Sequence, residues 1–261
     1  MLTLKKSSLL LSLIGLTAGV ALLQLSRLNA ILTSGNSLAA VEVSTAQETS
    51  ERLRLAVLRQ LPSFGFNNLV ADWAFLNFLQ YFGDDAVREQ VGYTISPYYF
   101  EVIVEKDPRF IEPYLYLSNS VSMYAAQPNV AVALMDKGLP FLKPQVPPKS
   151  YLVWRYKGID ELLFLGDGEA AQKSFALAAD WAEASSDPQS NAVAEASRNT
   201  AEFLARNPSS KAAQVSAWAS ILVRAVDDRT RAIAIRNIES LGGTITADQQ
   251  GRVTVDFRLD D

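Results

Sequence analysis

The same residue pattern occurs twice in the chain, at an offset of 40 residues. Tyr114, Tyr116 and Ser118 recur as Trp154, Tyr156 and Gly158, and Ala131, Met135, Gly138 and Leu139 recur as Ala171, Phe175, Ala178 and Ala179. Two antiparallel helices can approach closely with this distribution, because a large side chain of one helix fills the space opposite a small residue of the other. The pattern therefore predicts two helical hairpins, over residues 107–144 and 148–184.

Helical spacing of apolar residues continues over residues 47–241, which we predict to form one helical domain. The apolar residues that mark one face of each further helix are Leu53/Val57/Leu61, Leu69/Trp73/Leu76, Val215/Trp218/Leu222 and Ile235/Ile238/Leu241. Ser96-Pro97 and Asp187-Pro188 each combine a capping side chain with a proline that suits the first helical position. They predict helices that reach about Glu105 and Arg206.

Parts of this pattern resemble the tetratricopeptide repeat (TPR) family. Gly166–Ala171 with Phe175 and Ala178 resembles the turn and second helix of the repeat, and Asp107-Pro108 resembles the dipeptide that links successive repeats. The stretch 64–76, followed by an aromatic segment and the two hairpins, is similar to bacterial membrane-anchored proteins of this superfamily. The family repeats every 34 residues, and the six extra residues here fall in 140–149. The resemblance implies an all-α, right-handed solenoid of TPR-like antiparallel hairpins, and it implies no activity.

An uncharged stretch of twenty residues, Ser7 to Ser26, lies near the N-terminus. As a helix it would be about 30 Å long, the thickness of the hydrocarbon core of a bilayer. We therefore predict a transmembrane anchor over residues 1–27 and a flexible tether over 28–46. A cleaved signal peptide is the alternative, but its apolar region is shorter, and the small-residue site at 37–39 lies too far downstream.

The charge distribution predicts an orientation in the membrane. Lys5 and Lys6 precede the span, so the N-terminus is expected in the cytoplasm and the body on the periplasmic or lumenal side of a plasma or thylakoid-type membrane. The whole chain carries −4 and residues 1–40 carry +3, so the remainder carries −7 and is a poor partner for nucleic acid. Gly15 and Gly19 form a GxxxG pair, a candidate contact for a homodimer, although chance glycine pairs are common in such helices.

The chain contains no cysteine and no histidine. Disulfides, thiolate nucleophiles, the common zinc sites, the usual haem ligation and the Ser-His-Asp triad all require one of these residues. We therefore predict no catalytic residue, no metal site and no cofactor. The enzymatic alternative is a hydrolase of cell-envelope glycans, which would need two carboxylates, among Glu101, Glu112 and Asp160, about 5–10 Å apart across a cleft.

The TPR resemblance also implies a binding surface. First helices line the concave groove of TPR domains, and the corresponding positions here include Glu112, Asn119, Met123 and Arg155. Asn and a basic residue can hold the carboxylate of a peptide through charge-assisted hydrogen bonds.

The aromatic residues suggest further contacts. Twenty of the twenty-five lie between Phe64 and Phe164. They are expected either to fill the core or to line a groove for a peptide, lipid or pigment-like ligand. A helix that starts at Pro97 shows Tyr98, Tyr99 and Phe100 on most of its circumference. One of the three should therefore face water, a partner or the membrane surface, so Tyr98 and Tyr99 are further candidates for partner binding.

The C-terminal residues change from a helical period to a strand period. Val253, Val255, Phe257 and Leu259 alternate with polar residues, and residues 244–246 can pair with them. We predict that residues 242–261 form a short β-hairpin that caps the last helices. An edge strand that accepts the strand of a partner is the alternative.

Together these features predict a membrane-anchored, non-enzymatic scaffold for protein–protein interaction, or an assembly factor for a membrane complex. Its partners would be proteins in or near the membrane, which the anchor contacts through residues 7–26. One alternative is a permanent structural subunit of a photosynthetic or respiratory membrane complex, which would present a large exposed apolar patch rather than a groove.

Overall fold

The computed structural model describes residues 37–207, 211–225, 228–247 and 253–257, with side chains from Ala46 onward. The predicted anchor, with its glycine pair Gly15 and Gly19, lies outside these ranges. Within them, no helix is both long and apolar enough to cross a membrane.

The described chain is mostly helical, as the sequence predicts. The α-helices of this part are α1 (Ser37–Gln60), α2 (Asn67–Phe82), α3 (Asp85–Val91), α4 (Ser96–Lys106), α5 (Glu112–Leu117), α6 (Pro128–Gly138), α7 (Tyr151–Leu163), α8 (Gly168–Glu183), α9 (Ser190–Arg206), α10 (Lys211–Arg224) and α11 (Asp228–Ser240). A π-helix (Ser118–Tyr124) continues α5, and a 3-10 turn (Leu139–Phe141) follows α6. Two short strands, β1 (Thr244–Ala247) and β2 (Val253–Asp256), complete the described elements.

Helix α1 corrects the predicted boundary of the tether. The sequence predicts a flexible segment over 28–46, but α1 already begins at Ser37. Residues 37–48 contain neither glycine nor proline and include Leu38, three alanines, Gln47 and two glutamates. Such residues favour a helix, so the small polar residues between them do not interrupt it.

The two repeated hairpins pack as their residue pattern predicts. In the first, a Cβ added to Gly138 of α6 would lie 1.8 Å from the hydroxyl oxygen of Tyr114, so the tyrosine occupies the space beside the glycine. In the second, a Cβ added to Gly158 of α7 would lie 3.1 Å from the ring of Phe175 in α8. The close approach of each helix pair therefore depends on one small residue facing one aromatic ring.

The first two helices differ from the usual arrangement, in which an apolar face packs on the core. Leu53 and Val57 of α1 and Leu61 just after it are exposed, and so is the Leu69/Trp73/Leu76 face of α2. Leu55, Ala71, Ala74 and Phe78 face inward instead. The periodic spacing identifies both helices, but these two apolar faces point away from the core.

The C-terminal elements form a separate packed unit, as predicted for a cap. Helices α10 and α11 pack on one another, and strands β1 and β2 pair antiparallel with Ile245 opposite Val255. Both of these side chains pack against the cluster built around Trp218 and Ile238. The hairpin therefore covers the apolar side of the last two helices.

This C-terminal unit lies against the first helices of the hairpins. Helix α10 contacts α7, and the ring of Trp218 meets that of Phe164 edge-on, with centroids 5.2 Å apart. The arrangement places α10 opposite a surface formed by the π-helix, α7 and α9. A cleft is left between them.

Candidate functional site

The cleft has a volume of about 1070 Å³ and opens between two walls. One wall consists of the π-helix, α7 and α9, and the other is α10. Phe82 and Thr230 also contribute to the lining. A space of this size is typical of ligand-binding sites in proteins.

Three of the residues that the sequence predicts for the groove line this cleft. They are Asn119 of the π-helix, Met123 of the same helix and Arg155 of α7. Glu112 is exposed in the first turn of α5 and lies outside the cleft lining. The structure therefore brings the predicted carboxylate-binding pair, Asn119 and Arg155, into one cavity.

The two tyrosines predicted to contact a partner also lie outside the cleft lining. Tyr98 is half-buried, with the guanidinium of Arg52 4.7 Å from its ring centroid. Tyr99 is 2 % exposed, and its hydroxyl donates to Glu51 at 3.2 Å. Tyr99 is thus a core residue rather than a contact residue, which corrects the prediction. Tyr98 is the one of the three consecutive aromatics that remains partly accessible.

Arg155 is a half-buried cation without a carboxylate beside it in the described structure. One of its guanidinium nitrogens donates to the hydroxyl of Ser197 at 2.9 Å. Burial lowers the pKa of Arg155, because no acidic side chain compensates for the lost hydration. The lining of the cleft, over the described residues, includes no Asp or Glu. The cleft is therefore suited to a ligand that brings a negative charge.

Further lining residues follow the 40-residue period into α9. Asn119 corresponds at this offset to Ile159 and then to Asn199, and all three line the cleft. Met123 corresponds in the same way to Leu163 and Phe203, which also line it. The repeats predicted from the sequence end at residue 184, and continuing the same period reaches Asn199 and Phe203.

The opposite wall was not foreseen from the sequence. Helix α10 contributes Ser216, Ser220 and Arg224 to the lining, together with small and apolar residues. The amphipathic period of α10 predicts that Val215, Trp218 and Leu222 are buried, and it gives no indication of the helix that they pack against. The polar side of α10 became part of the cleft through the tertiary packing alone.

Behind the first wall, a buried carboxylate ties the π-helix to α7. Asp160 is fully buried and accepts hydrogen bonds from the hydroxyls of Ser118 and Ser122. Burial raises its pKa to about 6, against the lowering effect of the two serines. π-Helical turns are rare and often occur at functional sites. The π-helix carries the two serines that donate to Asp160. It also carries Asn119 and Met123, which line the cleft.

The acids considered for hydrolysis are in three different environments. Glu101 forms an ion pair with Arg59 on α1, Glu112 is exposed, and Asp160 is fully buried. None of the three lines the cleft. The described cleft therefore offers no pair of carboxylates that could act on a glycosidic bond.

An aromatic cluster joins the C-terminal unit to the first wall. Tyr93 and Tyr124 stack with centroids 4.8 Å apart, and the guanidinium of Arg229 lies 4.9 Å from the ring of Tyr93. The hydroxyl of Tyr124 lies 2.5 Å from that of Thr230, at the start of α11. These contacts hold the C-terminal unit beside the π-helix and so set the separation of the two walls.

Over the described residues, the fold is mostly helical and built of antiparallel hairpins, and it contains a largely apolar cleft whose lining includes Arg155 and Arg224 but no acidic side chain. Comparison of the chain with protein-family models, with curated proteins and with solved structures finds no match.

Proposed function

We propose that this chain is a membrane-anchored, TPR-like scaffold or assembly factor that binds a protein partner in the cleft between α7 and α10. The observation that carries the proposal is the half-buried Arg155, which has no acidic neighbour in the described lining of a cavity large enough for a peptide segment. A half-buried guanidinium without a counter-ion has lost part of its hydration, and an anionic ligand would compensate for that loss.

The lining residues suggest how a peptide would be held. The fork of Arg155, with the amides of Asn119 and Asn199, supplies donors for a carboxylate, either a C-terminus or an acidic side chain. Met123 and Phe203 offer apolar contacts for neighbouring side chains. Apolar walls with a few convergent polar groups are the usual composition of a selective binding site.

The membrane anchor over residues 7–26 is part of the same proposal. A domain confined near the bilayer meets membrane partners at a raised effective concentration, without any additional contact. The body would then work on the periplasmic or lumenal side. Such a protein needs positioned binding groups rather than catalytic residues.

The proposal is tested by affinity capture from membranes in mild detergent, followed by mass spectrometry. The full-length chain is compared with two variants that place the same bulky side chain at different exposed sites. Ser216→Trp fills the cleft from α10, whereas Glu195→Trp lies on α9 outside the cleft lining. Circular dichroism establishes that both variants keep the helical fold.

The expected result is a defined set of membrane-complex subunits that is recovered with the wild type and with Glu195→Trp but is lost with Ser216→Trp. Equal recovery by all three proteins would show that the partner binds elsewhere and would refute the cleft as the binding site. Arg155→Gln should weaken recovery in the same direction, because the guanidinium fork and its charge are both lost.

A second candidate function is a permanent structural subunit of a photosynthetic or respiratory membrane complex. The exposed apolar side chains of α1 and α2 favour this reading, since obligate interfaces are large and apolar. Stoichiometric recovery of the chain in the mature complex would support the subunit. Recovery only in incomplete assemblies would support the assembly factor.

A further inference from the structure

Helix α1 directs charged side chains toward the protein. Glu48 pairs with Arg88 of α3, and both side chains are largely buried. Glu51 accepts a hydrogen bond from the hydroxyl of Tyr99. Of the hydrophobic residues between 46 and 60, one is fully buried, and it is Leu55. The inner face of α1 thus combines these polar contacts with the packing of Leu55 and Leu58 on the core.

Arg59 extends this polar inner face near the end of α1. Its guanidinium donates to Glu105 of α4 at 2.7 and 2.5 Å, and to Glu101 at 2.5 Å. A helix packed on a core and facing water has the opposite distribution, with apolar residues inside and charges outside. Helix α1 departs from this distribution, because Leu53 and Val57 are exposed while Glu48 and Arg59 form ion pairs with α3 and α4.

The exposed surface of the first helix pair is rich in large apolar side chains. Of the twelve large hydrophobic residues that are exposed in the described structure, eight lie between Leu53 and Leu76. They include Phe64 and Phe66 in the loop between α1 and α2, which are 86 % and 61 % exposed. We call the exposed apolar side chains of residues 53–76 the N-terminal apolar face.

The two helices contribute to one continuous surface. The guanidinium of Arg54 on α1 lies 4.1 Å from the ring centroid of Trp73 on α2, so the outer sides of the helices are in contact. Leu53 and Val57 continue this surface on α1, and Leu76 continues it on α2. An exposed apolar surface of this extent is typical of a site that binds a partner or a membrane, rather than of a surface that faces water.

We propose that the N-terminal apolar face lies on the lipid bilayer, in addition to the anchor. This inference rests on the proposed function, because it takes residues 7–26 as the membrane span. Ten residues, 27–36, separate that span from α1, and an extended chain covers at most about 3.3–3.6 Å per residue. Helix α1, with 24 residues, is about 36 Å long and can therefore lie along the bilayer surface.

The side chains of this face fit a lipid surface. Phe, Trp and Leu are the residues that helices lying in the interface bury, to a depth of about 5–10 Å. Arg52 and Arg54 stand beside the apolar residues and can reach anionic headgroups. The tether confines the face near the bilayer, so lipid is its most abundant apolar partner.

The absence of cysteine from the sequence permits a direct test with single thiols. Leu76→Cys and Val57→Cys each place one environment-sensitive fluorophore on the apolar face of the full-length protein. Glu202→Cys on α9, an exposed position outside the cleft lining, is the matched control. The labelled proteins are reconstituted in phosphatidylcholine–phosphatidylglycerol vesicles, with nitroxide quenchers at shallow or deep positions on the acyl chain. Vesicle flotation is measured in parallel.

The expected result is that all three proteins float with the vesicles, but that only the probes at positions 57 and 76 shift to shorter wavelength. The shallow nitroxide should quench these probes more strongly than the deep one, because an interfacial helix lies near the boundary between headgroups and acyl chains. The probe at position 202 should be insensitive to both quenchers. Adding Leu69→Glu and Leu53→Glu to the Leu76→Cys protein should abolish the quenching while flotation is retained.

Two outcomes overturn the inference and leave the anchor intact. Flotation without quenching at positions 57 and 76 shows that the face does not contact lipid. Alternatively, the probes could shift to shorter wavelength without being quenched by the lipid nitroxides. If pyrene attached at position 76 then shows excimer emission, a second copy of the chain covers the face. Failure of the full-length chain to float refutes the membrane anchor of the proposed function together with this inference.

Discussion

The first helix pair and the repeated hairpins differ in how many of their large apolar side chains are buried. In the hairpins, aromatic rings such as Tyr114 and Phe175 fill spaces beside glycines, and the charged residue Asp160 is enclosed and hydrogen-bonded. In α1 and α2, Leu53 and Leu76 face outward, while Arg59 forms ion pairs on the inner side. An amphipathic period therefore identifies a helix, but it does not by itself show which apolar residues face the core.

The largest expected effect separates the two faces of α2. Phe78 is fully buried and Leu76 is 60 % exposed, two residues apart on the same helix. Phe78→Ala should lower the free energy of unfolding by about 3–5 kcal/mol, because a cavity replaces the ring. Leu76→Ala should change it by no more than about 0.5 kcal/mol. Urea unfolding of the full-length protein in mild detergent measures both, and equal losses would contradict the described orientation of α2.

The buried carboxylate of the hairpins should give a pH-dependent stability. The pKa of Asp160 is raised to about 6, above the value of about 3.9 expected in the unfolded chain. The folded state therefore holds this proton to higher pH than the unfolded state does. The cost of burying the charged form is absent below about pH 4, grows between about pH 4 and 6, and is fully present above that.

The measurement is the stability of the wild type minus that of Asp160→Asn, from urea unfolding at pH 4 and pH 7. This difference should fall by up to about 3 kcal/mol as the pH rises, because the variant lacks the titrating group. The subtraction removes the contribution of other acids, such as Glu105, whose pKa is lowered by Arg59 and Lys137. Parallel pH profiles for the two proteins would contradict a raised pKa at Asp160.

The glycines of the two hairpins should differ in their tolerance of a methyl group. At Gly138 an added Cβ would overlap the Tyr114 hydroxyl, whereas at Gly158 it would only be tight against the ring of Phe175. Gly138→Ala should therefore destabilise the protein by about 1–3 kcal/mol through overpacking, and Gly158→Ala by less. Thermal unfolding of both variants gives the order, and the reverse order would show that the hairpins are not packed as described.

The smallest effect is expected for the polar inner face of α1. Arg59 and its partners Glu101 and Glu105 are partly exposed, so Arg59→Gln should cost only about 0.2–1 kcal/mol. The loss should shrink at high salt, which screens exposed charges. Chemical unfolding at low and high ionic strength provides the comparison. A loss that does not change with salt would indicate that Arg59 stabilises the helix by packing instead.

Much of the fold could be predicted because it is encoded locally. The pattern of small and large residues in 107–144 and 148–184 predicted two hairpins, and the tight contacts at Gly138 and Gly158 confirm that packing. The alternation of Val253, Val255 and Phe257 predicted the hairpin of β1 and β2. These features depend on neighbours in the sequence or on a fixed repeat distance, both of which can be read from the residues.

The cleft could be predicted only in part, because its two walls come from distant parts of the chain. The TPR resemblance implied four groove positions, of which Asn119, Met123 and Arg155 share the cleft and Glu112 does not line it. Tyr99 was assigned to the surface, since the helical period does not reveal that Glu51 of α1 covers its hydroxyl. Similarly, no local signal in α10 indicates that Ser216 and Arg224 line the same cleft as Arg155.

The second wall of the cleft has a consequence for the synthesis of the protein. The hydroxyls of Tyr124 and Thr230 meet across 106 positions of sequence, and they join the first wall to the C-terminal unit. Up to the end of α9, a chain emerging from the ribosome contains Arg155 and its neighbours but no opposing helix. We expect the partner to be bound only after residues 211–240 have been translated and folded, because these residues complete the site.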